Sequence, residues 1–200
     1  MTERNFVAAT CVFLCVLAGV SCNDDMADAD TSPQTMTDDK PSQKPPQGAS
    51  AIEAWLAKGD YKDWQCEPEI HEARSPSPHG FNRICSNDQI SSRATGTGDW
   101  PAGAAAVKEL YASATDKKPV GYAVYLKTKS DSAGGDNWYW YERVPLDHPA
   151  PHDSKGVVAD SLGDEGPAKS ICVGCHVAAG ADEAHTPSKG GRDQVYTPVE

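Results

Sequence analysis

Methionine is missing from everything after Met36: the three in this chain of 200 residues, Met1, Met26 and Met36, all precede residue 50. No thioether is therefore available to residues 51–200 as a metal ligand. Basic residues are also scarce. Lys and Arg number 18 against 29 Asp and Glu, a net charge of −11, with −4 carried by residues 1–50 and −7 by residues 51–200. A body this acidic repels phosphate backbones, which argues against nucleic acid as a partner. Long apolar runs are absent as well, since the longest, Phe6 to Val20, has 15 residues and is too short to span a bilayer comfortably. There is no internal repeat, and no second linker long enough to divide residues 51–200.

With Arg4 ahead of it, the Phe6–Val20 run reads as an export signal. Small residues in Leu17 to Ser21 precede Cys22, as in a bacterial lipoprotein cleavage site, although Gly19 stands where that pattern has Leu. The expectation is a signal peptide over 1–22 and a lipid anchor on Cys22, with a plain secreted form cleaved nearby as the alternative. Either form is exported, as a lipoprotein on the outer or periplasmic side of a bacterial membrane or as a soluble periplasmic protein. Residues 23–50 hold six Asp and four Pro and no aromatic or branched aliphatic residue, which predicts an acidic, disordered tether. One domain over 51–200 remains. It opens with a predicted helix in which Ser50 and Glu53 fit a capping box, Ile52, Trp55 and Leu56 make an apolar stripe, and Gly59 supplies a stop.

Of the seven Cys, Cys11, Cys15 and Cys22 fall in the leader, leaving Cys66, Cys85, Cys172 and Cys175. Cys172-Val-Gly-Cys175-His176 has the spacing of c-type haem attachment: each thiol adds to one vinyl group, and the adjacent histidine becomes the axial ligand of the iron. The same five residues also fit two other chemistries. A structural zinc would need two more ligands from Cys66, Cys85, His71 or His79, and a redox Cys-x-x-Cys would make His176 incidental. If haem is bound, the missing methionine rules out the common His/Met ligation. The sixth position is then open, covered by packing, or taken by His, Lys or water. Only 24 residues follow His176, so the preceding segment must build most of the pocket. In an oxidising compartment Cys66 and Cys85 are expected to form a disulfide across the 18 residues between them, stabilising the domain by about 3 kcal/mol.

Tyr122–Lys127 and Trp138–Arg143 are aromatic and β-branched runs on either side of the turn-forming stretch 130–137, and they read as an antiparallel hairpin. Phe81–Cys85 is a further strand. Ala104–Tyr111 is ambiguous, because its alanines and Leu110 favour helix by propensity while the flanking turn signals permit a strand.

Trp100-Pro-Ala-Gly-Ala-Ala-Ala-Val-Lys108-Glu-Leu-Tyr111, Gly121-Tyr122, Asn137-Trp-Tyr-Trp-Tyr141, the late Cys172-x-x-Cys175-His176 and Val195-Tyr196, in that order, resemble the cytochrome P-460 family. Its relatives include the cytochromes c′-beta. The resemblance covers residues 78–199 and implies an α+β fold: a mainly antiparallel β-sheet carrying one covalently attached c-type haem, with a few helices. It makes Ala104–Tyr111 a strand. It also implies that Lys108 stands at the haem, cross-linked to the macrocycle as in the namesake enzymes or unlinked as in the c′-beta type. A strand has period 2, so Lys108 shares a face with Ala104, Ala106 and Leu110. The family's distal carboxylate falls nearest Asp131, with Asp136 and Glu142 as competitors. Arg83 matches a family arginine, and its strand parity groups it with His79 and Phe81 on the distal side. His79 is also a candidate sixth ligand, whereas His71, His148, His152 and His185 carry no separable signal.

The function implied is oxidation of hydroxylamine or a related small nitrogen compound at an open haem iron, with electrons passed to a soluble cytochrome. Lys108, Asp131 and Arg83 are the expected catalytic residues. Two alternatives are a non-catalytic nitric-oxide-binding cytochrome of the c′-beta type and a membrane-tethered electron carrier. The resemblance also implies a possible homodimer, and membrane contact only through the lipid on Cys22.

Overall fold

The computed structural model describes residues 44–74, 77–181 and 190–200. The expected signal peptide, the Cys22 anchor, most of the tether and His185 lie outside the described residues. Seven strands make one antiparallel sheet: β1 Gln65–Cys66, β2 His71–Glu72, β3 Phe81–Ser86, β4 Ala105–Tyr111, β5 Gly121–Lys127, β6 Trp138–Arg143 and β7 Val157–Leu162. Their order is β1-β3-β4-β5-β6-β7, with β2 also paired to β3. The sheet is thus a meander from β3 to β7. Among the described residues three short α-helices accompany it, α1 Ala49–Lys58, α2 Asp88–Ser91 and α3 Gly174–His176. No helix among the described residues is long and apolar enough to cross a membrane.

Each face of the sheet packs a different part of the chain. Ile52, Trp55 and Leu56 of α1, with Tyr61 and Trp64, bury one face together with Val107, Val124, Leu126, Tyr139 and Tyr141. On the other face Ala106, Trp138 and Trp140 pack with Trp100, Ala168, Cys172, Val195 and Val199, so the late part of the chain lies on the side opposite α1. Period-2 alternation divides β4 between the faces: Val107 and Glu109 point toward α1, and Ala106, Lys108 and Leu110 point away. Tertiary pairing on both sides, with β3 and β5, therefore overrides the helix propensity of the alanine run.

Two expectations need correction. The ordered domain begins before residue 51, since α1 starts at Ala49 and even Gly48 is tied down, its N–H donating to the Tyr139 hydroxyl at 2.8 Å. The Ser50–Glu53 capping box does not form. Gly48 is the N-cap, the Ala49 N–H donates to Asp160 Oδ2 at 2.8 Å, and Glu53 is drawn off to the sheet, where it accepts from Tyr141 and from Arg143 Nε at 2.6 Å. A partly buried charge-assisted bond outcompetes a local cap. Strand β7 has no strand signature in the sequence, because Asp160 and Ser161 break its apolar pattern; Asp160 serves α1 and Tyr139 from that position. By contrast, Gly59 stops α1 as expected, at φ 79°.

The expected Cys66–Cys85 disulfide is present, between residues directly opposite each other on β1 and β3. It closes a loop that Glu67 stiffens from inside. Glu67 accepts from the Ile84 N–H at 2.9 Å, from Arg74 Nη2 at 2.8 Å and from the His71 ring at 2.9 Å. Its burial, which alone would raise the pKa, is outweighed by those bonds to Arg74, His71 and Ile84, and the carboxyl titrates below the ordinary range.

Candidate functional site

After Pro167, residues Ala168–Val173 wind as a wide π-type turn that runs directly into α3 at Gly174–His176. Proline suits this entry because its missing N–H falls where no helical bond is made, and π-type turns recur at functional sites. Cys172 lies on the wide turn, and Cys175 and His176 on the tight one. Two glycines give the turn its seat. A Cβ on Gly163 would stand 2.1 Å from the Gly135 carbonyl and 2.8 Å from Val173, and one on Gly135 would stand 2.7 Å from Val173. Only bare backbone lets Val173 pack there.

A cavity of about 330 Å³ opens between this helical segment, the face of the sheet away from α1, and the loop closed by the disulfide. That volume lies within the range of small-molecule sites. Cys172, Cys175, His176 and Lys108 all line it, with His79 and Glu142. Both thiols are unpaired, and burial pushes that of Cys172 up to about 12. The remaining wall is largely apolar, including Ile84, Ala106, Leu110, Val144 and Val158. The wall residue Trp140 has a buried indole N–H without a partner among the described residues, a donor that a bound group with an acceptor would satisfy.

His176 is held on several sides. Its Nδ1–H donates to the Gln194 carbonyl at 2.6 Å, and the rings of Trp140, Tyr196 and Tyr125 surround it at centroid distances of 4.7, 5.3 and 6.0 Å. With Nδ1 committed as donor, Nε2 keeps its lone pair, which is the tautomer of a metal-ligating histidine. Burial, followed by the nearby Lys108 cation, pushes its pKa down to about 3. The donor set of two thiols and one imidazole on a single cavity wall is the one covalent haem attachment uses. The zinc alternative loses Cys66 and Cys85 to the disulfide, and no three His, Cys, Asp or Glu side chains are grouped as metal ligands among the described residues.

Lys108 stands opposite Ile84 on one side and Ala123 on the other, and Ala123 in turn stands opposite Glu142. One row of the sheet therefore brings the lysine and a carboxylate to the same cavity. Burial pushes Lys108 down to about 8, with Glu142 acting against it. His79 reaches the rim from the loop before β3, its Nδ1 3.3 Å from Glu142 Oε1, and burial followed by the Lys108 cation lowers its pKa against the pull of Glu142.

Two sequence-based assignments fall elsewhere. Arg83 lies on the far face of the sheet, where Nε donates to Glu109 Oε2 at 2.8 Å, and it does not line the cavity. Parity failed because His79 precedes β3 in an irregular loop, so period 2 does not reach it. Glu109 also accepts from Tyr61 and Tyr111, so Arg83 belongs to a buried polar cluster beneath the site. Asp131 is an exposed turn residue whose Oδ1 accepts from the Ala133 N–H at 2.9 Å, and it does not line the cavity either. Of Asp131, Asp136 and Glu142, it is Glu142 that lies in the wall. Gln194 has no signal in the sequence, since a backbone carbonyl acceptor leaves no mark in side-chain identity.

No protein-family model and no curated protein matches the chain.

Proposed function

We propose that the described domain is a monohaem c-type cytochrome that oxidises hydroxylamine or a related small nitrogen compound and passes the electrons to a soluble cytochrome. The observation that carries this reading is the convergence of Cys172, Cys175, His176 and Lys108 with the His79–Glu142 pair in one cavity. Cys172 and Cys175 would hold the group covalently and His176 would ligate its iron through Nε2. When bound, the haem supplies the redox centre that accepts the electrons. Everything else falls to the chain's own residues. Hydroxylamine loses protons together with electrons, and Glu142, with His79 beside it, would accept them. Lys108, with its pKa near 8, keeps a sizeable neutral fraction in mildly basic solution, and only the neutral amine is nucleophilic toward a macrocycle. Arg83 would act indirectly, by holding Glu109 and so fixing strand β4 beneath Lys108.

The apolar remainder of the wall favours a second reading, reversible capture of nitric oxide without turnover. Expression of the full chain with c-type haem maturation separates the two. The haem peptide is weighed from wild type and from Lys108→Ala, and hydroxylamine turnover is measured with a soluble cytochrome as acceptor. Covalent haem with turnover supports the enzyme. Covalent haem that binds nitric oxide but shows no turnover moves the assignment to the binding module, and absence of covalent haem overturns both.

A further inference from the structure

Lys127 is fully buried, yet it does not line the cavity. From the end of β5 its Nζ reaches Asp193 Oδ2 at 2.5 Å, with Asp99 Oδ2 at 3.7 Å and the Trp138 ring centre at 5.4 Å. The Asp193 side chain is itself buried and well bonded, its Oδ2 accepting from the Trp100 N–H at 2.7 Å and its Oδ1 lying 3.4 Å from Trp138 Nε1. Asp193 and Gln194 have φ of 41° and 70°, so two consecutive non-glycine residues occupy the left-handed region, which they hold only when the surroundings impose it. The second of them presents the carbonyl that receives the His176 Nδ1–H.

A buried ion pair is a weak source of net stability, because desolvation offsets most of its attraction. Its effect here is geometric. It ties a strained turn in the C-terminal segment to the strand whose Tyr125 packs on the His176 ring. We propose that Lys127 and Asp193 form a positioning pair that locks the Asp193–Gln194 turn, aims the Gln194 carbonyl at His176 Nδ1 and thereby sets the basicity of His176 as an iron ligand. This inference rests on the haem reading of the cavity. A strong acceptor on Nδ1 gives the imidazole more imidazolate character, which favours ferric iron.

The test uses the full chain matured with haem, in wild type, Lys127→Met, Lys127→Arg, Asp193→Asn and the double variant Lys127→Met/Asp193→Asn. The double variant leaves no unpaired buried charge and serves if a single variant does not fold. The readouts are haem-peptide mass, the ferrous iron–histidine stretching frequency and the reduction potential. Loss of the pair should lower the stretching frequency and shift the ferric–ferrous equilibrium about tenfold toward ferrous, about 59 mV for a one-electron couple. Lys127→Arg should return both toward wild type. Ile52→Val, in the core on the other face of the sheet, controls for simple destabilisation. Unchanged frequency and potential in a haem-loaded variant overturn the inference. Wild type without covalent haem overturns the haem reading instead, and the two failures are told apart by mass.

Discussion

Glu142 meets His79 at the rim of the cavity, Oε1 to Nδ1 3.3 Å, although 63 positions of chain separate them. Proton transfer in the proposed reaction is assigned to this pair. Glu142→Gln in the haem-loaded protein should lower hydroxylamine turnover by about 10²- to 10⁴-fold while the mass of the haem peptide stays unchanged. Asp131→Asn, in the exposed turn, should leave turnover at the wild-type level. Steady-state kinetics on both variants checks this, and the reverse ranking would return the role to Asp131.

The haem-free protein should show Lys108 as an unusually reactive amine. Burial lowers it to about 8, so roughly half of it is neutral at pH 8, whereas an ordinary lysine near 10.4 is almost wholly charged there. Limited acylation at a series of pH values from about 6 to 10, followed by peptide mapping, should modify Lys108 at a rate that rises through pH 8 and then levels. A rate still climbing in proportion to hydroxide at pH 10 would show an ordinary lysine.

Acid should weaken the domain partly through Glu67. Its folded-state pKa lies below the ordinary 4.5, so its stabilisation is present above that value and is lost as pH falls through the folded pKa. Glu67→Gln should cost about 1–3 kcal/mol at neutral pH and show a smaller loss of stability below pH 4.5 than wild type. Urea unfolding across pH 2.5–7 gives both quantities.

Reducing the Cys66–Cys85 bridge, or replacing both with Ser, should lower stability by about 3 kcal/mol. The bridge closes the loop bearing Arg74, Ser77 and His79, all in the cavity wall, so a matured double-Ser variant should also lose turnover more than fold. Chemical denaturation beside kinetics separates the effects.

Gly163→Ala should be costly out of proportion to one methyl group. The new Cβ would meet the Gly135 carbonyl at 2.1 Å and Val173 at 2.8 Å, overpacking worth about 1–3 kcal/mol. Gly134→Ala is the contrast, with open space at its Cβ and a cost only from its φ of 69°. Thermal unfolding of the two variants should rank Gly163→Ala as the less stable.

Much of this arrangement was legible in residue order alone. The Cys172-x-x-Cys175-His176 spacing, the hairpin of Tyr122–Lys127 and Trp138–Arg143, the pairing of the two remaining thiols and the absence of methionine after Met36 are local or countable properties. Period 2 was enough to place Lys108 with Ala106 and Leu110 once a strand was assumed. What only the tertiary structure decided is which distant groups share a space. Sheet register put Glu142 rather than Asp131 in the wall, and strand alternation on β3 turned Arg83 to the far face, opposite Glu109. Glu53 left its helix cap for Arg143 and Tyr141, and the Gln194 carbonyl reached His176. Each of these depends on burial and on partners far away in the chain. A buried charge takes whichever counter-charge the fold brings within reach, and that choice is written in no local pattern.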